Sequence, residues 1–247
     1  MLLLNKFQSN YCLAYVYIKI YGYFINIPEW KIFNNANANT CSCSIKVDCM
    51  SDYTYRLCSK EVDRYFTISY GNFNYKFNSE IYNMCIPELF QNRIIHLHSS
   101  YIIYHDKAIL FTGPSGIGKT TQAELWRDYQ GAEIINGDVT LIRKWDGRYC
   151  AFGAPIHGSS PYCENKSAPI EALIVLQQGT ENQIEVLNHF EALSHCLPEI
   201  YRPEMPEETQ NILWETIDDF FSEMPVYRLT CRPDRESTEI VKEFLGL

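Results

Sequence analysis

The chain has no run approaching the roughly 18 uncharged apolar residues that a membrane-spanning helix needs, since its opening Met1-Leu2-Leu3-Leu4 meets Asn5 and Lys6 at once. We therefore expect no span, signal peptide or membrane anchor. It also has no basic surplus. Lysine and arginine number 21 against 30 aspartates and glutamates, a formal charge of -9. The imbalance lies in the later part: residues 1–100 hold 9 basic and 7 acidic groups, residues 101–247 hold 12 and 23. A protein that tracks phosphate backbones needs a basic face, so nucleic acid is not an expected partner. Paired C-x-x-C knuckles are missing too. Cys41, Cys43, Cys49 and Cys58 cluster without the spacing of a structural zinc site. The ten cysteines are scattered and read better as reduced, partly buried thiols of a cytoplasmic protein than as a disulfide framework. There is no internal repeat.

What is present divides in two. Residues 1–94 are tyrosine-rich, and 11 of the 18 tyrosines precede residue 96. Short alternating segments, Tyr15 to Ile20, Tyr53 to Leu57, Tyr65 to Tyr70 and Asn74 to Phe77, have period two and β-branched or aromatic enrichment, which predicts strands. Turn chemistry falls between them at Tyr70-Gly71-Asn72 and in the polar run from Asn34 to Thr40. This part is expected to be a small, mainly β domain.

Residues 95–247 alternate strand and helix. Strands are expected at Tyr101 to Tyr104, Ala108 to Phe111, Glu133 to Ile135, Leu173 to Leu176, Ile184 to Leu187 and Val226 to Leu229. Helices are expected at Thr120 to Tyr129, His189 to Ile200, Pro206 to Glu223 and Asp234 to Leu245, the last with Ile240, Val241, Phe244 and Leu245 on one side.

Between the second strand and the first helix stands Gly113-Pro114-Ser115-Gly116-Ile117-Gly118-Lys119-Thr120-Thr121, which satisfies G-x-x-x-x-G-K-[ST]. Glycines allow the backbone N–H groups to converge on phosphate oxygens, and the helix that follows turns its positive end toward the same anion. Average residue frequencies give a chance match in this length of roughly one in a hundred. The pattern predicts ATP binding, with Lys119 reaching the β- and γ-phosphates and the Thr120 hydroxyl on Mg²⁺. A second strand should end in a metal-holding carboxylate. Asp138, after Ile134-Ile135-Asn136-Gly137, fits. Asp128, Glu133 and Asp146 stand in more polar helix-end or turn settings.

Taken together, His98-Ser99-Ser100, the segment from Phe111 to Thr120, and Ile134 to Asp138 resemble the HPr kinase/phosphorylase family. The spacing from the family's I-H-G to its phosphate loop matches without a gap. The later segments Gly153-Ala154-Pro155-Ile156-His157-Gly158 and Lys166-Ser167-Ala168-Pro169-Ile170 look like those of the shorter relatives in peptide maturation, including lasso-peptide serine kinases. The resemblance spans about residues 95–180. It implies an α/β, phosphoenolpyruvate-carboxykinase-like P-loop core behind the mainly β domain. It also implies an ATP- and Mg²⁺-dependent kinase acting on a serine hydroxyl in a peptide or protein, in a chain that could self-associate.

By the same resemblance Lys119, Asp138 and His98 are catalytic. The family's paired D-D reads Gly137-Asp138 here, so one aspartate is carried over, and the proton acceptor is His98 or Asp138. His157 and Lys166 flank a Gly- and Ser-rich turn where a cation could meet transferring phosphate. Arg143, Arg148 and Arg202 are weaker candidates of the same kind. A kinase of free serine or a sugar, and a nucleotide-binding protein without transfer chemistry, are the alternatives.

Overall fold

The computed structural model describes residues 11–13, 16–20, 43–51, 54–58 and 63–67 by their backbone, and residues 82, 83, 86, 89–154 and 156–247 in full. The chain divides into two compact units, Met1–Leu89 and Phe90–Leu247.

In the first unit, β1 (Tyr11–Leu13), β2 (Val16–Ile20), β3 (Cys43–Ser51), β4 (Thr54–Cys58) and β5 (Asp63–Thr67) form one sheet in sequence order. β2 and β3 are parallel and the other pairs antiparallel. Three of the four strand-like segments read from alternation overlap β2, β4 and β5, the third only at 65–67. The fourth, Asn74 to Phe77, lies outside the described residues, as do both expected turns.

The second unit carries β6 (Ile95–Tyr104), β7 (Lys107–Thr112), α1 (Lys119–Gln130), β8 (Glu133–Asn136), β9 (Val139–Trp145), β10 (Arg148–Gly153) and β11 (Ser167–Gln178). β12 (Gln183–Val186), α2 (His189–Cys196), α3 (Glu207–Glu223), β13 (Val226–Cys231) and α4 (Arg235–Leu245) follow. It is a mixed α/β unit with an eight-stranded sheet in the order β10-β9-β6-β7-β11-β13-β12, β8 lying beside β6. β11 runs parallel to β7 and β13, and its first residues also pair with β10, so the sheet closes on itself through β10 and β11.

β7, whose Ala108, Ile109, Leu110, Phe111 and Thr112 are all buried, is a continuous apolar run because it lies between two strands with packing on both faces. α1 covers one face through Gln122, Ala123 and Trp126. The Trp126 ring meets Tyr104 edge-on at 5.3 Å and Phe111 at 6.5 Å. Burying such a ring removes on the order of 200 Å² of mostly apolar surface from water, which fixes the helix and so the loop that leads into it. Gly131 ends α1 in the left-handed conformation, φ 74°, leaving Ala132 N–H to donate to Trp126 C=O at 3.2 Å.

Two expectations need adjusting. The helix begun at His189 stops at Cys196 and tightens to a 3₁₀ turn, Leu197–Glu199, because Pro198 has no N–H to continue the ladder. On α4, Val241 is buried and Ile240 and Leu245 are half-buried against the core as expected, with Ser237 and Thr238 buried beside them, while Phe244 departs from that face, 45% exposed and meeting Tyr227 edge-on. No helix among the described residues is long and apolar enough to cross a membrane.

Candidate active site

Residues 113–118 link β7 to α1. Gly113, Gly116 and Gly118 have φ of 136°, 80° and 113°, conformations that only glycine adopts without strain. A Cβ at Gly116 or Gly118 would meet nothing within 4 Å, so the glycines serve backbone shape and leave open space over the loop. Gly118 is also the N-cap of α1, with no side chain capping the helix. Unsatisfied N–H groups at that end are suited to an anion.

Lys119 is 6% exposed. Its Nζ donates to the carbonyls of Gly113 at 2.7 Å and Pro114 at 3.2 Å. Burial lowers its pKa from the ordinary lysine value, opposed by the nearby carboxylates of Glu199 and Asp138. A buried ammonium whose hydrogen bonds go to the carbonyls of the loop itself is placed to turn onto a phosphate held by that loop.

The register of β6 brings the rest together. Ser99 stands opposite Thr112, the residue before the loop, and His98 stands opposite Val139, the residue after Asp138. Ser99 N–H donates to Asp138 C=O at 3.2 Å, the Ser99 hydroxyl to Thr140 Oγ1 at 2.7 Å, and the Thr112 hydroxyl to His98 C=O at 2.9 Å. His98, within β6, thus lies beside the end of β7 that leads into the phosphate loop and beside the β8–β9 turn that carries Asp138. Thr120 Oγ1 lies 3.5 Å from Gly137 C=O, which sets the hydroxyl beside the turn that carries Asp138.

That turn is built from its neighbours. Asn136 Oδ1 accepts from Asp138 and Val139 N–H, both at 2.9 Å, and its Nδ2 donates to Ala154 and Ile156 carbonyls. The segment after β10 folds over Asp138: Gly158 N–H and Ser160 N–H donate to Oδ2 at 2.8 and 3.2 Å. No hydrogen bond among the described residues reaches Oδ1. A fixed carboxylate with one oxygen in hand, beside a threonine hydroxyl, is an oxygen donor set that fits Mg²⁺. Gly137 explains the missing side chain at its position. A Cβ there would stand 1.9 Å from Ser160 Oγ, so Ser160 fills the space a second aspartate would need.

His157 belongs to the clamping segment, its Nδ1 3.1 Å from Gly158 C=O. Lys166 does not join this group. Its ammonium pairs with Glu133 at the start of β8, four residues from Gly137. Asp128 is bound to Arg127 on the exposed side of α1, Asp146 sits in the β9–β10 turn, and Arg143 and Arg202 lie over Trp145 and Trp214.

Glu199 was not legible as a site residue. Its Oε2 lies 3.0 Å from His98 Nδ1 across 101 positions of sequence, and its side chain is 10% exposed against 39% for His98. The thiols offer no rival chemistry among the described residues. Burial pushes Cys163 up to about 11 and Cys196 to about 12, so neither is a thiolate near neutral pH.

No family model and no curated protein matches the chain. Among solved structures it is similar to the HPr(Ser) kinase/phosphatase from Coxiella burnetii, at 10% identity and a TM-score of 0.36, over 61% of this chain and 88% of that one.

Proposed function

We propose that the protein is an ATP- and Mg²⁺-dependent kinase of carboxykinase-like type that transfers a γ-phosphoryl group to a serine hydroxyl of a peptide or protein. The observation that carries this reading is that β6, at His98 and Ser99, lies between the end of β7 that leads into the phosphate loop and the β8–β9 turn that carries Asp138. Loop amides and the α1 N-terminus receive the phosphates, and Lys119 is drawn from the Gly113 and Pro114 carbonyls onto them. Thr120 and Asp138 would hold Mg²⁺, which would supply neutralisation of phosphate charge. The acceptor hydroxyl needs a base. His98 is better suited than Asp138, because Asp138 is held by two amides and has its remaining oxygen directed to the metal role. His157, in the segment that clamps Asp138, is the candidate cation for the transferring phosphate. Recognition of the acceptor chain falls to the mainly β N-terminal unit, by addition of a strand to its sheet.

The experiment is intact-mass analysis of serine-containing peptides, free serine and the protein itself after incubation with ATP and Mg²⁺, beside Lys119→Ala and Asp138→Asn. A phosphate on a peptide that is absent with both variants is the expected result. Phosphate on free serine alone would replace the peptide acceptor with a metabolite, and ATP binding with no phosphate on any acceptor would defeat the kinase reading.

A further inference from the structure

His98 is not a lone imidazole. The 3₁₀ turn Leu197–Glu199 is fastened to β6 by a bridge between Leu97 and Ile200 and by Tyr201 N–H donating to His96 C=O at 2.9 Å. This attachment delivers Glu199 to His98, with Oε2 at 3.0 Å from Nδ1. The pair is graded in exposure, the carboxylate nearly covered and the imidazole reaching outward. An acidic side chain that is mostly buried requires a partner, and His98 is the one the hydrogen bonds supply. Position 137 has no side chain to offer and its space is taken by Ser160, while Asp138 Oδ2 is engaged by two amides and Oδ1 is assigned to the metal in the reading above.

We infer that Glu199 is the positioning residue of the catalytic base, accepting the His98 Nδ1–H so that Nε2 is left bare to take the acceptor proton. The inference rests on the kinase reading above and deepens it. In the step, the hydroxyl proton passes to His98 Nε2 and the hydroxyl oxygen bonds to the γ-phosphorus. The bond from that phosphorus to the β,γ-bridging oxygen breaks, and its electron pair leaves with ADP. The imidazolium charge forms against the Glu199 carboxylate, as in other carboxylate–imidazole arrangements. The charged and titratable groups recorded with His98 are Glu199 from the 3₁₀ turn and His96 two residues earlier on β6, and the Glu199 carboxylate in turn acts on Lys119 of α1.

Two readouts test it in the full-length chain. The first needs no substrate: ¹⁵N chemical shifts of the imidazoles, with His98 assigned through His98→Gln. The expected result is the Nδ1–H tautomer in the native protein and its loss in Glu199→Ala. The second is phosphoryl transfer. Glu199→Ala should lower kcat by roughly 10- to 100-fold, a part of what a positioned base contributes, with the KM for ATP unchanged, and should add nothing in a His98→Gln background. Glu199→Gln, which can still accept from Nδ1–H, should keep the tautomer and lose less activity, and it guards against a folding failure of the alanine variant. An Nε2–H tautomer in the native protein would overturn the inference. So would an equal Glu199→Ala loss with and without His98, or a loss confined to ATP affinity, which would make Glu199 a partner of Lys119. If the native protein transfers no phosphate, the kinase reading fails separately, and the tautomer still decides whether Glu199 positions His98.

Discussion

Replacing Gly137 with alanine isolates the packing that holds Asp138. Gly137 is absent from the positive-φ positions among the described residues, so alanine meets no torsional penalty and the effect is steric. Its Cβ would fall 1.9 Å from Ser160 Oγ and 2.5 Å from Ser160 Cβ, distances that force the clamping segment to move. Overpacking of this kind costs about 1–3 kcal/mol. Displacing Ser160 also sacrifices its N–H bond to the Asp138 carboxylate, an interaction of about 1.5 kcal/mol at the weak end for a partly exposed charge. A total near 3 kcal/mol should lower Tm by roughly 6–12 °C. Thermal and urea denaturation measure the stability, and calorimetric titration with ATP in the presence and absence of Mg²⁺ measures the site. The expected result is a less stable protein whose Mg²⁺-dependent gain in ATP affinity shrinks, both recovered in Gly137→Ala/Ser160→Gly. Native stability in the single variant, or no recovery in the double, would refute the packing argument.

Gly158→Ala places a Cβ 2.9 Å from Asp138 Oδ1 and should weaken Mg²⁺-dependent ATP binding severalfold while leaving metal-free binding intact, as read by the same titration. His96 is buried and its pKa is lowered to about 3, first by desolvation and then by His98. The folded state therefore keeps it neutral while the unfolded chain protonates it, so its contribution is present above about pH 6.5 and is lost as pH falls toward 3. Between about pH 6.5 and pH 5 the native protein should lose about 1.5 kcal/mol more than His96→Asn by urea midpoint; parallel losses would contradict the burial argument.

The loop and its flanks were legible because a single pattern couples three constraints. Glycines at 113, 116 and 118 set the backbone, Ala108 to Phe111 read as a buried strand, and Trp126 and Ala123 gave the following helix an apolar side. β9 and β10 were missed since Thr140, Arg143 and Lys144 interrupt the apolar alternation. Their turn nevertheless carries Asp146-Gly147 with φ of 48° and 76°, the dipeptide that favours a two-residue hairpin. Two features could not be read locally. Glu199 reaches His98 only through the attachment of its turn to β6, and nothing near Gly137 in sequence announces that Ser160 will occupy its side-chain space. Lys166 stood in a suggestive motif, yet its ion pair with Glu133 is set by a strand end that sequence spacing does not fix.

The central claim is transfer of the terminal phosphate of ATP, and labelling that phosphate at its γ-position tests it most directly. After incubation with Mg²⁺ and serine-containing peptides, the account predicts the label on a peptide serine, lost with Lys119→Ala. Label found only in inorganic phosphate, or left wholly in ATP by a protein that binds it, would contradict the account.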